Sequence, residues 1–305
     1  MKKKMLLAAL LAAAMLLLCA CQAATAYDYA NREKYTSGGA SITAELKNLE
    51  IDWVEGGVTV AYAKTNEITI AETARRALKE NEKLCWWLDG DTLRIRYAQA
   101  GEWRFENLNK QLTVTLPEGT ALKKADISAV SADICARPFY AETMNFSAVS
   151  GRINIECAAS ALTASSTSGD ITLTAAANEI TLNSTSGKID AAVEHAVRLK
   201  MDTISGKLQA QLGEVKQAEL NATSGNIIAA AKKPVDDLKI GTVSGAVNLT
   251  WPQSAGASAQ LSTVSGQVSA PAWGRDGSRY TYGNGAAKVN ISTVSGNITV
   301  IEGQE

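Results

Sequence analysis

One dipeptide returns along this chain at nearly even steps, and it limits what the chain can fold into. Ser-Gly stands at Ser150-Gly151, Ser168-Gly169, Ser186-Gly187, Ser205-Gly206, Ser224-Gly225, Ser244-Gly245, Ser265-Gly266 and Ser295-Gly296. Successive copies are 18, 18, 19, 19, 20, 21 and 30 residues apart, and a degenerate copy, Ser131-Ala132, lies 19 residues before the first. A unit of this length cannot bury an apolar face alone, so the copies must stack on one another.

The flanking pattern names the unit. Three residues after Ser stand Ile134, Ile153, Ile171, Ile189, Leu208, Ile227, Val247, Val268 and Ile298. Four before it stand Ile127, Phe146, Ala164, Leu182, Met201, Leu220, Ile240, Leu261 and Ile291. Apolar residues alternate with period two inside each arm, the mark of a strand with one buried face. The parity flips between the arms, so the chain turns or bulges at Ser-Gly, where glycine tolerates the backbone required. The residue before each Ser is β-branched (Val130, Val149, Thr167, Thr185, Ile204, Thr223, Val243, Val264, Val294), which favours strand over helix. The sequence therefore predicts an all-β fold: a single-stranded β-solenoid of about nine regular rungs over residues 127–302. Its last copy, Val289 to Val300, is expected to close the rod after a 30-residue interval that supplies a cap.

Ahead of the rungs, residues 1–20 read as an export signal, with Lys2-Lys3-Lys4 before the apolar run Met5 to Leu18. Leu18-Cys19-Ala20-Cys21 resembles a bacterial lipobox, which makes Cys21 the expected lipid attachment site and the membrane the expected partner of the N-terminus. Residues 21–39 then read as anchor and tether, and residues 40–303 as the solenoid domain. Within the latter, Gly56-Gly57-Val58-Thr59-Val60 marks an early, irregular rung. Residues Glu72 to Leu84 predict a short amphipathic helical excursion. Asp89-Gly90-Asp91 between two apolar runs predicts a hairpin, and Leu112 to Leu116 a strand stopped at Pro117.

The Thr-Val-Ser-Gly copies at 242–245, 263–266 and 293–296, the Leu112–Gly119 strand and the glycine-rich aromatic insert before the last copy resemble a bacterial family named "putative adhesin". The resemblance spans residues 40–302. It implies a β-solenoid at the cell envelope, often membrane-tethered, with relatives linked to envelope-stress responses. It carries no catalytic residues to transfer.

Chemistry has little raw material here. His195 is the only histidine, so His-based triads and metal sites are not expected. Cys85, Cys135 and Cys157 form no Cys-x-x-Cys pair and read as buried thiols, with one disulfide as the alternative. No carboxylate persists beside the repeated glycine, which excludes calcium-binding rungs. Asp133, Arg152, Asp170, Lys188 and Lys207 instead form a row of mostly alternating charge, a solvated ladder; read as a polysaccharide-cleaving groove, it holds two Asp two rungs apart, with Asp190 on the next row. The inward Ser and Thr two residues before each Ser, with the repeated Ser itself, are expected to hydrogen-bond along the stack. Net charge moves only from −1 to −4 without the three signal lysines, so nucleic acid is not an expected partner. No cofactor is expected.

Trp273, Tyr280 and Tyr282 are the binding candidates, since aromatics on a glycine-rich loop stack on sugars or anchor a protein. Their competing role is to cover the apolar end of the rod. The functional expectation is a lipid-anchored, non-enzymatic envelope protein that presents a solenoid surface to an envelope protein or glycan. The alternative is an envelope-stress sensor or regulator acting through a protein partner; a carbohydrate-active enzyme ranks third.

Overall fold

A computed structural model describes residues 27–101 and 107–303. Among the described residues the regular structure is β-strand, with two 3₁₀ turns, Arg32–Lys34 and Glu80–Glu82. Each regular rung is a long strand bent in two, as in Ile153–Ser166, Ile171–Ser184 and Ile189–Thr203. These pair in parallel, in register, residue over equivalent residue. The residues three after Ser form one unbroken column, Ile153, Ile171, Ile189, Leu208, Ile227, Val247, Ile298 and Val268. Those four before Ser form another, from Phe146 to Leu261. Both columns feed a single continuous core. Each fully buried Ile or Leu contributes about 1.5–3 kcal/mol. Between the two corners, alternation breaks a second time at pairs of outward residues such as Asn178-Glu179.

The glycine at the first corner is needed for a reason other than its dihedral freedom. Apart from Gly296, with φ of 157°, the repeated glycines do not lie at positive φ. What they provide is room. A Cβ on Gly169, Gly187, Gly206, Gly225 or Gly245 would sit 1.9–2.2 Å from the carbonyl oxygen of the glycine one rung below. On Gly151 it would meet the Ala132 carbonyl oxygen at 1.7 Å. Real side-chain carbons do not approach that closely, so backbone stacks directly on backbone at every corner.

The repeated Ser residues also differ from expectation. Their side chains face solvent, and it is the main chain that stacks: the N–H groups of Ser150, Ser168, Ser186 and Ser205 donate to the preceding rung's carbonyls at 2.8–2.9 Å. Two residues earlier, Ser166, Ser184, Thr203, Thr242 and Thr293 are buried, as parity required. The threonines find partners there, Thr242 donating to the Gly225 carbonyl at 3.4 Å and Thr263 to that of Gly296 at 3.0 Å. The Ser166 and Ser184 hydroxyls have none.

Spatial order departs from chain order at both ends. The last copy does not close the rod. Strand Ala287–Ser295 lies between Asp237–Ser244 and Ala257–Ser265, and Ile298–Glu302 lies between Val247–Trp251 and Val268–Ser269. The long interval lets the chain pass to the end, form the outermost rung and return beneath it. At the other end, Asn48–Trp53 is likewise held between Thr92–Arg96 and Leu122–Ala129. From Thr92–Arg96 to Ala257–Ser265 the arm before the corner makes ten successive parallel pairings. At about 4.8 Å each the rod is roughly 48 Å long.

The N-terminal end is more folded than a tether would be. Tyr27 bridges Gly101 through two hydrogen bonds of 3.0 and 2.8 Å, and Thr36–Ser37 adds to the hairpin Cys85–Asp89/Thr92–Arg96. That hairpin turns at Gly90, φ 63°, where sequence placed it. The excursion over residues 72–84 contains one 3₁₀ turn and no α-helix, because Ile68–Thr73 is claimed as a strand antiparallel to Gln111–Pro117.

Replacing Gly206 with Val should destabilise the rod by more than about 1 kcal/mol, since the new Cβ has nowhere to go. Lys207→Ala, beside it but solvent-facing, should stay within about 0.5 kcal/mol. Thermal melts of the two variants compare them directly; equal midpoints would refute the stacked-corner account.

Candidate functional site

The aromatic insert folds as a hairpin, Gly274–Asp276 with Arg279–Tyr282, turning at Gly277 with φ of 59°. Its second strand lies antiparallel on Ala257–Gln260 of the outermost rung. Trp273 stacks on Tyr282 at 5.4 Å and meets Trp251 edge-on at 6.4 Å. Trp273 and Tyr280 are 5 % and 4 % exposed and belong to the core. Tyr282 is half-buried against it, its hydroxyl donating to the Gln253 carbonyl at 3.4 Å, and its pKa is raised by a hydrogen bond with Glu302. The structure thus stacks Trp273 on Tyr282 and buries Tyr280 two residues along the same strand, with little ring face open to solvent. Beside them, the hairpin and the outermost rung enclose an open hollow of about 500 Å³ lined by Leu261, Thr263, Val268, Arg275 and Tyr280.

The opposite end holds a polar cluster that gave no signal in the sequence. Lys110 is fully buried: its ammonium donates to the carbonyls of Glu82 and Tyr97 at 2.6 and 2.5 Å and pairs with Glu72 at 2.8 Å. It also lies 4.3 Å from the Tyr97 ring and 5.1 Å from that of Trp53. Burial lowers its pKa, and Glu72 opposes that. These bonds tie the excursion to the rod, a positional role. Arg76 forms a bidentate pair with Glu82, which holds that carboxyl down to about 2. Because Lys110 stands alone before an ordinary strand, nothing in its neighbours announces its burial.

The charged row behaves as a ladder. Arg152 pairs with Asp133 at 3.0 Å and Lys188 with Asp190 at 2.6 Å. Asp133 and Asp170 also accept the backbone N–H of Arg152 and Lys188, both at 2.8 Å, and Asn226 and Asn297 do the same for Ala246 and Gln267. Side chains just past the corner thus satisfy main-chain donors of the adjoining rung.

His195 is exposed and lies 3.9 Å from Glu214. Cys85, Cys135 and Cys157 are free; Cys85 and Cys157 are buried, Cys135 partly so. Burial pushes the Cys157 thiol up to about 12. Among the described residues no group of three His, Cys, Asp or Glu is placed to hold a metal ion, and no helix is long and apolar enough to cross a membrane. Cys21 lies outside the described residues.

Stacked parallel rungs, antiparallel ends and the absence of a closed barrel define a β-solenoid domain. The chain belongs to the family described as Toastrack DUF4097, which residues 46–301 match. This is the family resemblance drawn from the repeat. Among solved structures it is similar to a "putative lipid binding protein" from Parabacteroides distasonis, at 14 % identity and a TM-score of 0.50, over 88 % of this chain and 97 % of that one. It is also similar to a "putative adhesin" from Bacteroides fragilis, at 15 % identity and 0.40, over 88 % and 98 %. A "putative cell adhesion protein" from Clostridium sporogenes matches at 15 % identity and 0.25, over 88 % and 100 %. No curated protein matches the chain.

Two measurements follow from the two ends. Triple alanine replacement of Trp273, Tyr280 and Tyr282 should lower the melting temperature, with about 3 kcal/mol lost at each buried ring, and should speed hydrogen exchange at Val289 to Val300; an unchanged melt would mean the rings do not support the rod. Glu82 is depressed in the fold, so its contribution is present above the ordinary value of 4.5 and is lost as pH falls toward about 2. The melting temperature should therefore drop more steeply between those pH values for the wild type than for Glu82→Gln, and parallel curves would refute the pairing.

Proposed function

We propose that the chain is a lipid-anchored, non-enzymatic envelope protein whose solenoid presents a binding surface away from the membrane. The observation that carries this reading is the attachment of Tyr27 to the end of the rod opposite the aromatic hairpin. A lipid on Cys21 would be six residues from that attachment, a reach of about 20 Å. The anchored end then lies against the bilayer and the hairpin end faces outward, roughly 48 Å beyond.

The enzymatic reading gains no support from the charged row. Asp133 and Asp170 are held by main-chain donors and Asp190 by Lys188, so none is free to act as acid or base. The similar Parabacteroides structure is that of a putative lipid binding protein, which fits a binding module better than a catalyst. A sensor acting through a protein partner would use the same geometry, with the outward end as the contact.

Cys21→Ala should release the full chain from membranes into the soluble fraction. Retention of that variant after a high-salt wash would refute the lipid anchor.

A further inference from the structure

The outward end of the rod is an unfinished rung. The three corner glycines nearest it donate their N–H to the Ser carbonyl of the next rung: Gly225 to Ser244, Gly245 to Ser295 and Gly296 to Ser265, all at 3.0 Å. Two residues on, Val247 donates to Asn297 and Ile298 to Gln267, both at 2.9 Å. Gly266 and Val268 hold the same two places in the outermost rung, and no rung follows them. The hairpin does not substitute, because Arg279–Tyr282 pairs only with Ala257–Gln260, and the last bond between them runs from the Leu261 N–H to the Ser278 carbonyl at 3.3 Å. The edge from Ser262 through the corner to Ser269 is therefore left bare. The N-terminal end differs: there Ile68–Thr73 covers Gln111–Pro117, and Cys85–Asp89 covers Thr92–Arg96.

The bare edge borders the 500 Å³ hollow, whose floor is Leu261 and Val268 and whose wall is Tyr280 with Arg275. The Arg275 guanidinium rests 5.6 Å over the Tyr280 ring and donates to the Gly277 carbonyl at 3.0 Å. Among the described residues neither it nor Arg279 makes an ion pair, although Asp276 faces Arg279 across the hairpin. Val264, at the outer corner, is 83 % exposed and continues a ridge formed by Val243 and Val294.

We propose that this edge docks an extended, carboxylate-bearing segment of a protein partner, which adds as one further rung. Main-chain hydrogen bonds to an open sheet edge supply affinity in such complexes, and side-chain positions supply selectivity. Two requirements on the segment follow from the rungs already stacked. A residue lying over Gly266 must be glycine, for the same reason that a Cβ on Gly266 would meet the Gly296 carbonyl oxygen at 2.1 Å. A β-branched residue two positions earlier would extend the valine ridge. The unpaired arginines set the sign of the charge. A second copy of this chain fits less well, because its one open Ser-Gly corner, at Gly266, would bring its own Arg275 and Arg279 against these arginines. The proposal rests on the binding reading above and not on the lipid anchor.

The test uses the purified full chain and a synthetic peptide with the sequence of residues 163–174, which contains Thr-Ser-Gly-Asp. Binding is followed by calorimetry, and amide exchange is read at Gly266 and Val268. The peptide should bind and slow exchange at both amides by tenfold or more. A peptide with Val in place of its glycine, and separately the chain variant Arg275→Ala, should each weaken binding at least tenfold. Arg275 is exposed, so that variant folds; Arg279→Ala, at a second exposed position of the hairpin, gives an independent loss. No binding at millimolar peptide, equal binding by the Val peptide, or binding without protection of Gly266 and Val268 would each overturn the docking edge. The last outcome would leave a binding role elsewhere on the rod intact. Concentration-dependent dimers that protect the same amides would name a second copy as the occupant and also overturn the proposal.

Discussion

The structure depends on main chain lying directly over main chain at the Ser-Gly corner. With carbonyl oxygens about 2 Å from where a Cβ would stand, every rung is pinned to its neighbour at one point, and the two arms then run out in register from it. In-register pairing puts like residues in columns, so an Ile three after one Ser packs on an Ile three after the next. A one-residue slip in either arm would move its entire apolar set to the solvent face. The corner makes that slip impossible without separating the rungs. The 18-to-21-residue spacing can vary because the extra residues are absorbed at the second bend, away from the pinned corner.

Stacking solves the interior but leaves two problems, the ends and the outward main chain. Exposed strand edges invite pairing with other chains. At the N-terminal end short antiparallel strands, Thr36–Ser37 and Ala40–Ile42, close the sheet. At the C-terminal end the closure is partial, with rings over the core and the corner edge bare. Interleaving adds a further constraint. Because the first and last rungs in the chain are both second in space, each is paired on both sides, and neither rung can peel away as a free strand.

Outward chemistry is spent largely on the stack. Asp and Asn past the corner accept main-chain donors, Lys and Arg pair with carboxylates on the same or the adjacent rung, and the buried Lys110 ties a loop to the rod. Exposed pairs of this kind each contribute about 0–1 kcal/mol, so their value lies in covering a long surface without creating a charge field. The C-terminal end differs from the rest of the rod in its open sheet edge and in Val264, which is the most exposed of the large apolar side chains among the described residues. A protein held to a membrane by the other end would meet partners there first.

Much of this was legible in the residues. Period-two alternation and a recurrent glycine specify stacked strands because a strand's side chains can face only two ways, and the column from Ile153 to Ile298 is visible in the spacing of the repeat. The hairpin at Gly90 followed from turn chemistry local to three residues. The amphipathic excursion did not survive, because Glu72 and Thr73 were taken by a strand partner nearly forty residues away, and local periodicity carries no information about that. The glycine's role was misassigned for a related reason: its dihedral preference is a property of one residue, whereas its missing Cβ matters only once another rung's carbonyl arrives. The same holds for Lys110, whose burial depends on Glu72, Glu82 and Tyr97 converging. Sequence by itself determined the rung, its faces and its number of copies. Only the tertiary structure decided the order in which rungs stack, since equivalent rungs present nearly identical edges and the loop lengths, not the repeat, select which edge each one meets.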